Sequence, residues 1–279
     1  MKLYRTQSNV IIEHEGLYYV RTISDYDALI NQDDLYTNLL KSISEMSSVA
    51  NGEMLLTGHL LPPMGTQEIW AAGVTYLKSR EARMEEAEAS GGSDFYMKVY
   101  DAVRPELFFK ATTQRTVGHG SKVRIRKDST WNVPEPELTL FINSAGKIVG
   151  YTVGNDMSSR SIEGENPLYL PQAKSYDGCA AIGPCLYVAE QAIDADAIIT
   201  MEIKRSSHSV YKDSVSINRM KRKHDELVSF LFSECSFPQG VFLMTGTCLV
   251  PPNDFTLSAH DEIIISIDSI GTLINYVSE

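Results

Sequence analysis

Cysteine is sparse and shows no pairing pattern. The chain of 279 residues has four, Cys179, Cys185, Cys235 and Cys248, none in a CxxC spacing. That excludes a disulfide framework and a thiolate zinc site, and predicts reduced, buried thiols of a cytoplasmic protein. Basic charge is also short: 25 Lys and Arg stand against 36 Asp and Glu, a net charge of −11 at pH 7. So acidic a surface has no general attraction for nucleic acid or an anionic membrane. Positive charge for an anionic substrate has to be supplied locally, by a metal or a few basic side chains. Long apolar runs are missing; stretches such as Ile263 to Ile267 are far too short to span a bilayer. The opening residues Met1 to Arg5 lack the apolar core of a signal peptide. No repeat or low-complexity tract is visible. What is present is ordinary globular composition, 43% hydrophobic and 22% charged, which excludes a disordered, collagen-like or coiled-coil chain.

The first sixty residues read as a small appendage, giving units of 1–62 and 63–279. Asn9 to Thr22 is expected to form a hairpin turning at Gly16. Asp33 to Ser47 carries Leu35, Leu39, Leu40, Ile43 and Met46 at a helical period behind an Asp cap. Leu61-Pro62-Pro63 is the boundary, since two prolines stop both helix and central strand. Beyond it β signals dominate. Glu68 to Val74 is a short strand, and Lys78 to Ala89 has helical composition ahead of the joint Ser90 to Ser93. Leu138 to Ile142 and Lys147 to Val153 are strands joined by the turn Asn143-Ser144-Ala145-Gly146. Asp225 to Phe232 is a short amphipathic helix, and Ile263 to Ile267 and Thr272 to Val277 close the chain as strands. Strands outnumber helices without a regular βαβ alternation, which predicts a β-rich α+β fold.

The most informative stretch is Trp131-Asn132-Val133-Pro134-Glu135-Pro136-Glu137-Leu138. Glu135 and Glu137 are two apart in a strand and project from one face, where they repel unless a cation sits between them. An antiparallel hairpin about Asn143–Gly146 brings Asp156 opposite Glu135. Three converging carboxylates with no His or Cys nearby form an oxygen-only set suited to Mg²⁺, with Mn²⁺ or Ca²⁺ as other hard cations. The alternative is a solvated acidic face, or pairing with Arg124, Arg126 and Lys127. If the chain after Asp156 is helical, Asp156, Arg160 and Glu163 share one face; Arg160 then alternatively pairs with Glu163. Lys174, flanked by small and turn residues, is placed to enter a cleft, the alternative being a surface lysine.

At this point the chain resembles the fumarylacetoacetate hydrolase family over roughly residues 64 to 279. The resemblance lies in Glu135-x-Glu137, Asp156-x-Ser158-x-Arg160, Lys174-Ser175-Tyr176-Asp177, Gly183-Pro184, Thr245-Gly246-Thr247 and the closing Gly271 to Asn275. It implies a mixed β-roll, Mg²⁺ held by Glu135, Glu137 and Asp156, and Lys174 and Thr247 facing a 2-oxo acid. It also implies a homodimer or homotetramer. The hydrolases carry a His and a Glu after a Gly-x-Asn-Tyr motif to activate water. Here that motif is Gly73 to Tyr76 with Thr75 for Asn, and Ser79 and Ala82 hold the His and Glu positions. Glu106 stands where the family has an apolar residue in its Pro-x-x-Phe-x-Lys block, which ends at Lys110. These departures resemble the branch that dehydrates 2-keto-3-deoxy sugar acids, which for a pentonate gives 2,5-dioxopentanoate. Lys174 is the first expected proton-transfer group and Glu106 the second. Tyr76, Arg160, Glu163 and Thr247 are expected to orient substrate. The competing readings are a C–C hydrolase of acylpyruvates, an oxaloacetate-type decarboxylase, and a non-catalytic keto-acid binder. The one basic cluster, Arg219 to His224, lacks interleaved aromatics and does not argue for nucleic acid.

Overall fold

The computed structural model describes residues 1–58, 60–77 and 98–279. The expected helix at Lys78 to Ala89 and its glycine joint lie outside the described residues. Two mixed sheets dominate, and neither closes into a barrel. The larger is built from β1 (Lys2–Arg5), β2 (Asn9–His14), β3 (Leu17–Thr22), β4 (Glu68–Gly73), β5 (Glu106–Ala111), β6 (Thr116–Val117), β8 (Asn132–Ile142), β9 (Ile148–Ser159), β10 (Ala180–Tyr187) and β13 (Val241–Met244). Its strand order is β3-β2-β1-β10-β9-β8-β13-β4-β5, with β6 beside β10. The smaller sheet has the order β12-β11-β14-β15-β7, from β7 (Lys122–Val123), β11 (Ile198–Arg205), β12 (His208–Ser216), β14 (Glu262–Ile267) and β15 (Gly271–Val277).

Alternation along β8 explains the layering. Leu138, Leu140 and Ile142 pack in one apolar cluster with Ile199, Met201, Ile263 and Ile265 of the smaller sheet. Phe141 points the other way, into a second cluster with Leu29, Ile30, Leu35 and Leu39. Those residues come from α1 (Tyr26–Ile30) and α2 (Leu35–Ser44). The period of two puts Glu135 and Glu137 on the Phe141 face.

The expected hairpin at Asn9–Thr22 forms, and β1 pairs antiparallel with β10, so the first strands extend the main sheet. The expected Asp cap of the first long helix does not form. Asp34 takes the cap position of α2 without a side-chain cap bond, and Asp33 instead accepts from Asn143 and Lys147 at 2.8 and 2.7 Å. A longer-range ion pair and amide bond outcompete the local cap. The cysteines are free, but only Cys179 and Cys185 are buried; Cys235 is exposed. No helix among the described residues is long and apolar enough to cross a membrane.

Candidate active site

The β8–β9 hairpin places the carboxylates. Asn143 folds the turn by accepting from the Ala145 and Lys147 amides at 3.1 and 2.9 Å. The resulting register pairs Glu135 with Asp156, as the sequence predicts. Two prolines in so central a strand need an explanation. Thr245 N–H donates to Leu138 O, so even-numbered β8 residues turn their backbone toward β13. β13 pairs with β8 only at residues 139 to 142. Pro134 and Pro136 therefore fall where no ladder donor is required, and Glu135 and Glu137, which alternate with them, keep their pairing with β9.

Glu135, Glu137 and Asp156 are buried and offer ligand oxygens within 4.8 Å of one another. The expected single helical face for Asp156, Arg160 and Glu163 is not what assembles them. Asp156 lies in β9, and only at Arg160 does the chain turn into α3 (Arg160–Glu165). A strand-to-helix junction brings the three together instead. The Arg160 guanidinium, 2% exposed, sits 5.7 Å over the Trp131 ring and donates to Glu135 Oε1 at 3.1 Å. Lys174 is the last residue of α4 (Leu170–Lys174) and is fully buried. Its Nζ lies 2.5 Å from Glu135 Oε2, 3.1 Å from Asp156 Oδ2 and 3.3 Å from Glu163 Oε1, and it donates to Ser158 Oγ. The surface-lysine alternative is thereby excluded. Two of the three expected competitors for the glutamates are engaged elsewhere, Arg126 with Asp128 and Arg124 with Asp177.

Gly246 completes the cluster. Its amide donates to Glu137 Oε2 at 2.6 Å. Its φ of +97° and the Thr75 Oγ1, which would lie 2.0 Å from an added Cβ, demand glycine there. Thr75 Oγ1 in turn donates to Thr245 O at 2.7 Å. The threonine in place of the family's asparagine thus fixes the loop that carries the Glu137 donor.

The pocket over these groups is small and is lined by Ala72, Gly73, Val74, Phe108, Glu135, Glu137, Asp156, Arg160, Lys174, Gly246 and Thr247. Thr247 therefore faces it, as expected. Tyr76, Glu163 and Glu106 sit behind the lining. Tyr76 is 1% exposed; burial, then Cys248 and Glu137, push its phenol well up. Glu163 backs Lys174. Glu106 is the β5 partner of Gly73 and lies so close that a Cβ on Gly73 would meet its Oε2 at 1.8 Å.

Lys110 is the group that sequence reasoning missed as a site residue. It is fully buried, 2.5 Å from Asp156 Oδ1, and donates to Met157 O and Lys174 O at 2.9 and 2.5 Å. One ammonium thus ties the Asp156 strand to the Lys174 helix. Its signal was the lysine closing the Pro-x-x-Phe-x-Lys block, which reads locally as a partner for Glu106.

The cluster carries more negative charge than its resident cations neutralise. Burial first, then Asp156 and Glu135, raise the Glu137 carboxyl well above the usual range, against Lys174 and the Gly246 amide. The metal-free fold therefore holds a proton there that the unfolded chain gives up near the ordinary glutamate value. That stability is fully present below the unfolded value and is lost as pH rises through the higher folded value. A divalent ion reverses the local field, so its binding should expel the proton. In calorimetry the heat of Mg²⁺ binding should scale with the ionisation enthalpy of the buffer, and the affinity should rise with pH. Heats that ignore the buffer and an affinity flat in pH would contradict this.

With the geometry in place, comparison defines the class. Residues 68–278 match the fumarylacetoacetate (FAA) hydrolase C-terminal family, and the chain belongs to the fumarylacetoacetate hydrolase family. Within it, the chain is 38% identical to the 2-dehydro-3-deoxy-D-arabinonate dehydratase of Saccharolobus solfataricus, across 100% of this chain and 97% of that protein. It is 50% identical over 221 residues to a probable 2-keto-3-deoxyxylonate dehydratase of Haloferax volcanii, covering 79% of this chain and 75% of the relative. A solved structure of 2-keto-3-deoxy-D-arabinonate dehydratase complexed with magnesium and 2,5-dioxopentanoate matches with TM-score 0.84 at 35% identity. That match covers 100% of this chain and 99% of the other.

Proposed function

We propose that the chain is a magnesium-dependent hydro-lyase that dehydrates a 2-keto-3-deoxy sugar acid, converting a pentonate to 2,5-dioxopentanoate. The observation that carries this reading is the buried triad of Glu135, Glu137 and Asp156 with Lys174 against it. The full-length similarity to named dehydratases supports it. The triad fits the ion, because the donors are all hard oxygens and because burial, joined by the neighbouring Asp156 and Glu135, raises the Glu137 carboxyl well above its usual range, an environment that a divalent cation would relieve. Mn²⁺ and Ca²⁺ suit the same oxygens. Bound there, the ion would supply Lewis acidity that polarises the 2-oxo group and acidifies the hydrogens on C3.

The chain's own residues supply the rest. Removal of a C3 proton and protonation of the departing C4 hydroxyl together release one water, and the unsaturated product tautomerises to the dioxo acid. Lys174 Nζ faces the pocket and is held in place by Glu135, Asp156, Glu163 and Ser158, so it is the principal proton-transfer group. Glu106, packed against the Gly73 wall, is the second. Arg160 and Thr247 line the pocket and orient the carboxylate and hydroxyls of the substrate. Tyr76 and Glu163 support the orienting surface from behind. C–C hydrolysis of the family type lacks its His and Glu, whose positions are Ser79 and Ala82; these lie outside the described residues.

With Mg²⁺, the purified protein should turn 2-keto-3-deoxy-pentonate into 2,5-dioxopentanoate and leave an acylpyruvate intact. The opposite preference would make it a hydrolase, and binding without turnover a keto-acid binding protein. We further place it in the cytoplasm as a homodimer or homotetramer. The family match beginning at residue 68 supports a small N-terminal unit, 1–62, on a catalytic unit, 63–279.

A further inference from the structure

The basic stretch Arg219 to His224 has no part in the chemistry above, yet its central residues are deeply engaged. Arg222 is 7% exposed. Its Nη2 donates to Val99 O at 3.2 Å and Ala102 O at 2.5 Å, and its Nη1 to Val103 O at 3.2 Å and Glu226 Oε1 at 2.6 Å. Three of the four acceptors are carbonyls of the short stretch that leads into β5 and Glu106. Lys221 repeats the pattern. Its backbone amide donates to Thr75 O at 2.9 Å, and its Nζ to Tyr100 O at 2.6 Å and Asp101 Oδ1 at 2.7 Å. Two consecutive residues therefore fasten the chain just after β4 and just before β5.

Val74 stands between them. It lines the pocket, is 4% exposed, and packs against Val99 and Tyr100. Its φ is +55°, a left-handed conformation that a β-branched residue avoids. Such a conformation persists only where the surroundings over-determine it. The stretch gripped by Arg222 supplies that constraint.

We propose that Arg222 is a positioning residue for the substrate-facing wall of the pocket, acting through residues 99–103 to hold Val74 in its strained conformation. Glu135, Glu137 and Asp156 stand on β8 and β9; of the three only Glu137 is linked to this segment, and only indirectly, through Thr75, Thr245 and the Gly246 amide, so the metal site should feel the loss of the grip far less than the Val74 wall does. The kinetic part of the inference rests on the dehydratase reading; the backbone part does not.

The test pairs Arg222→Ala with Arg222→Lys. The alanine variant should raise KM for 2-keto-3-deoxy-pentonate about tenfold or more while kcat moves little. Its Mg²⁺ dissociation constant, measured by calorimetry, should stay within about twofold of wild type. Independently of turnover, hydrogen exchange at the Thr75 and Tyr76 amides should quicken about tenfold, with the β8 amides unchanged. Arg222→Lys, which keeps the charge and reaches fewer carbonyls, should fall between; it also serves if the alanine variant does not fold. Unchanged exchange at Thr75 and Tyr76 would overturn the proposal. So would an unchanged KM, or a loss of Mg²⁺ affinity as large as the change in KM. A wild-type protein that ignores the keto acid would overturn the dehydratase reading instead, and the exchange measurement would still decide the role of Arg222.

Discussion

Lys174→Ala is expected to lower turnover of 2-keto-3-deoxy-pentonate by about 10²–10⁴-fold, the range associated with a positioned proton-transfer group. The same substitution should leave Mg²⁺ affinity undiminished or strengthened. The ammonium lies 2.5 Å from Glu135 Oε2 and 3.1 Å from Asp156 Oδ2, so its loss removes a positive charge from beside the ligands. The opposite trends in rate and affinity distinguish this role from a merely structural one, which would weaken both. Stability should respond too. Removing one partner of a buried ion pair costs about 3–5 kcal/mol, and here three carboxylates lose the same partner. The cost should fall on the metal-free variant and shrink when Mg²⁺ is added. A Lys174→Ala enzyme that dehydrates at the wild-type rate would remove Lys174 from the mechanism.

The parts of this site that could be read from the residues are those set by local rules. Asn143 and Gly146 define a turn, the turn folds β9 back along β8, and the resulting antiparallel pairing puts Asp156 beside Glu135. A β-rich α+β chain and its closing strands follow from the same strand and turn signals, whereas the mixed β-roll is legible only through the resemblance that the family motifs carry. What could not be read depends on contacts between distant segments. Lys110 and Asp156 are far apart in sequence, and nothing near Lys110 announces a buried carboxylate as its partner. The helix assumed to align Asp156 with Arg160 and Glu163 fails because Asp156 is still bonded into the sheet. Asp33 leaves its helix for Lys147, a residue of a separate hairpin. The first strands join β10 by an edge pairing that no local pattern specifies. In each case a long-range partner overrides a sound local preference.

The dehydratase reading requires Glu135, Glu137 and Asp156 to hold one divalent ion on which the reaction depends. The most direct measurement is activity of chelator-stripped protein on 2-keto-3-deoxy-pentonate, with Mg²⁺ added back, beside an Asp156→Asn variant treated identically. Stripped wild-type protein should be inactive and recover fully with about one equivalent of ion per chain. Asp156→Asn should bind Mg²⁺ more weakly by at least the about 10–100-fold seen when an outer hydrogen-bonding partner of a metal ligand is lost. It should recover activity only partly at high Mg²⁺, because the change also uncouples Lys110 from the β9 carboxylate. Stripped wild-type protein that works at its full rate, or an Asp156→Asn variant that binds Mg²⁺ as tightly as wild type, would contradict the claim.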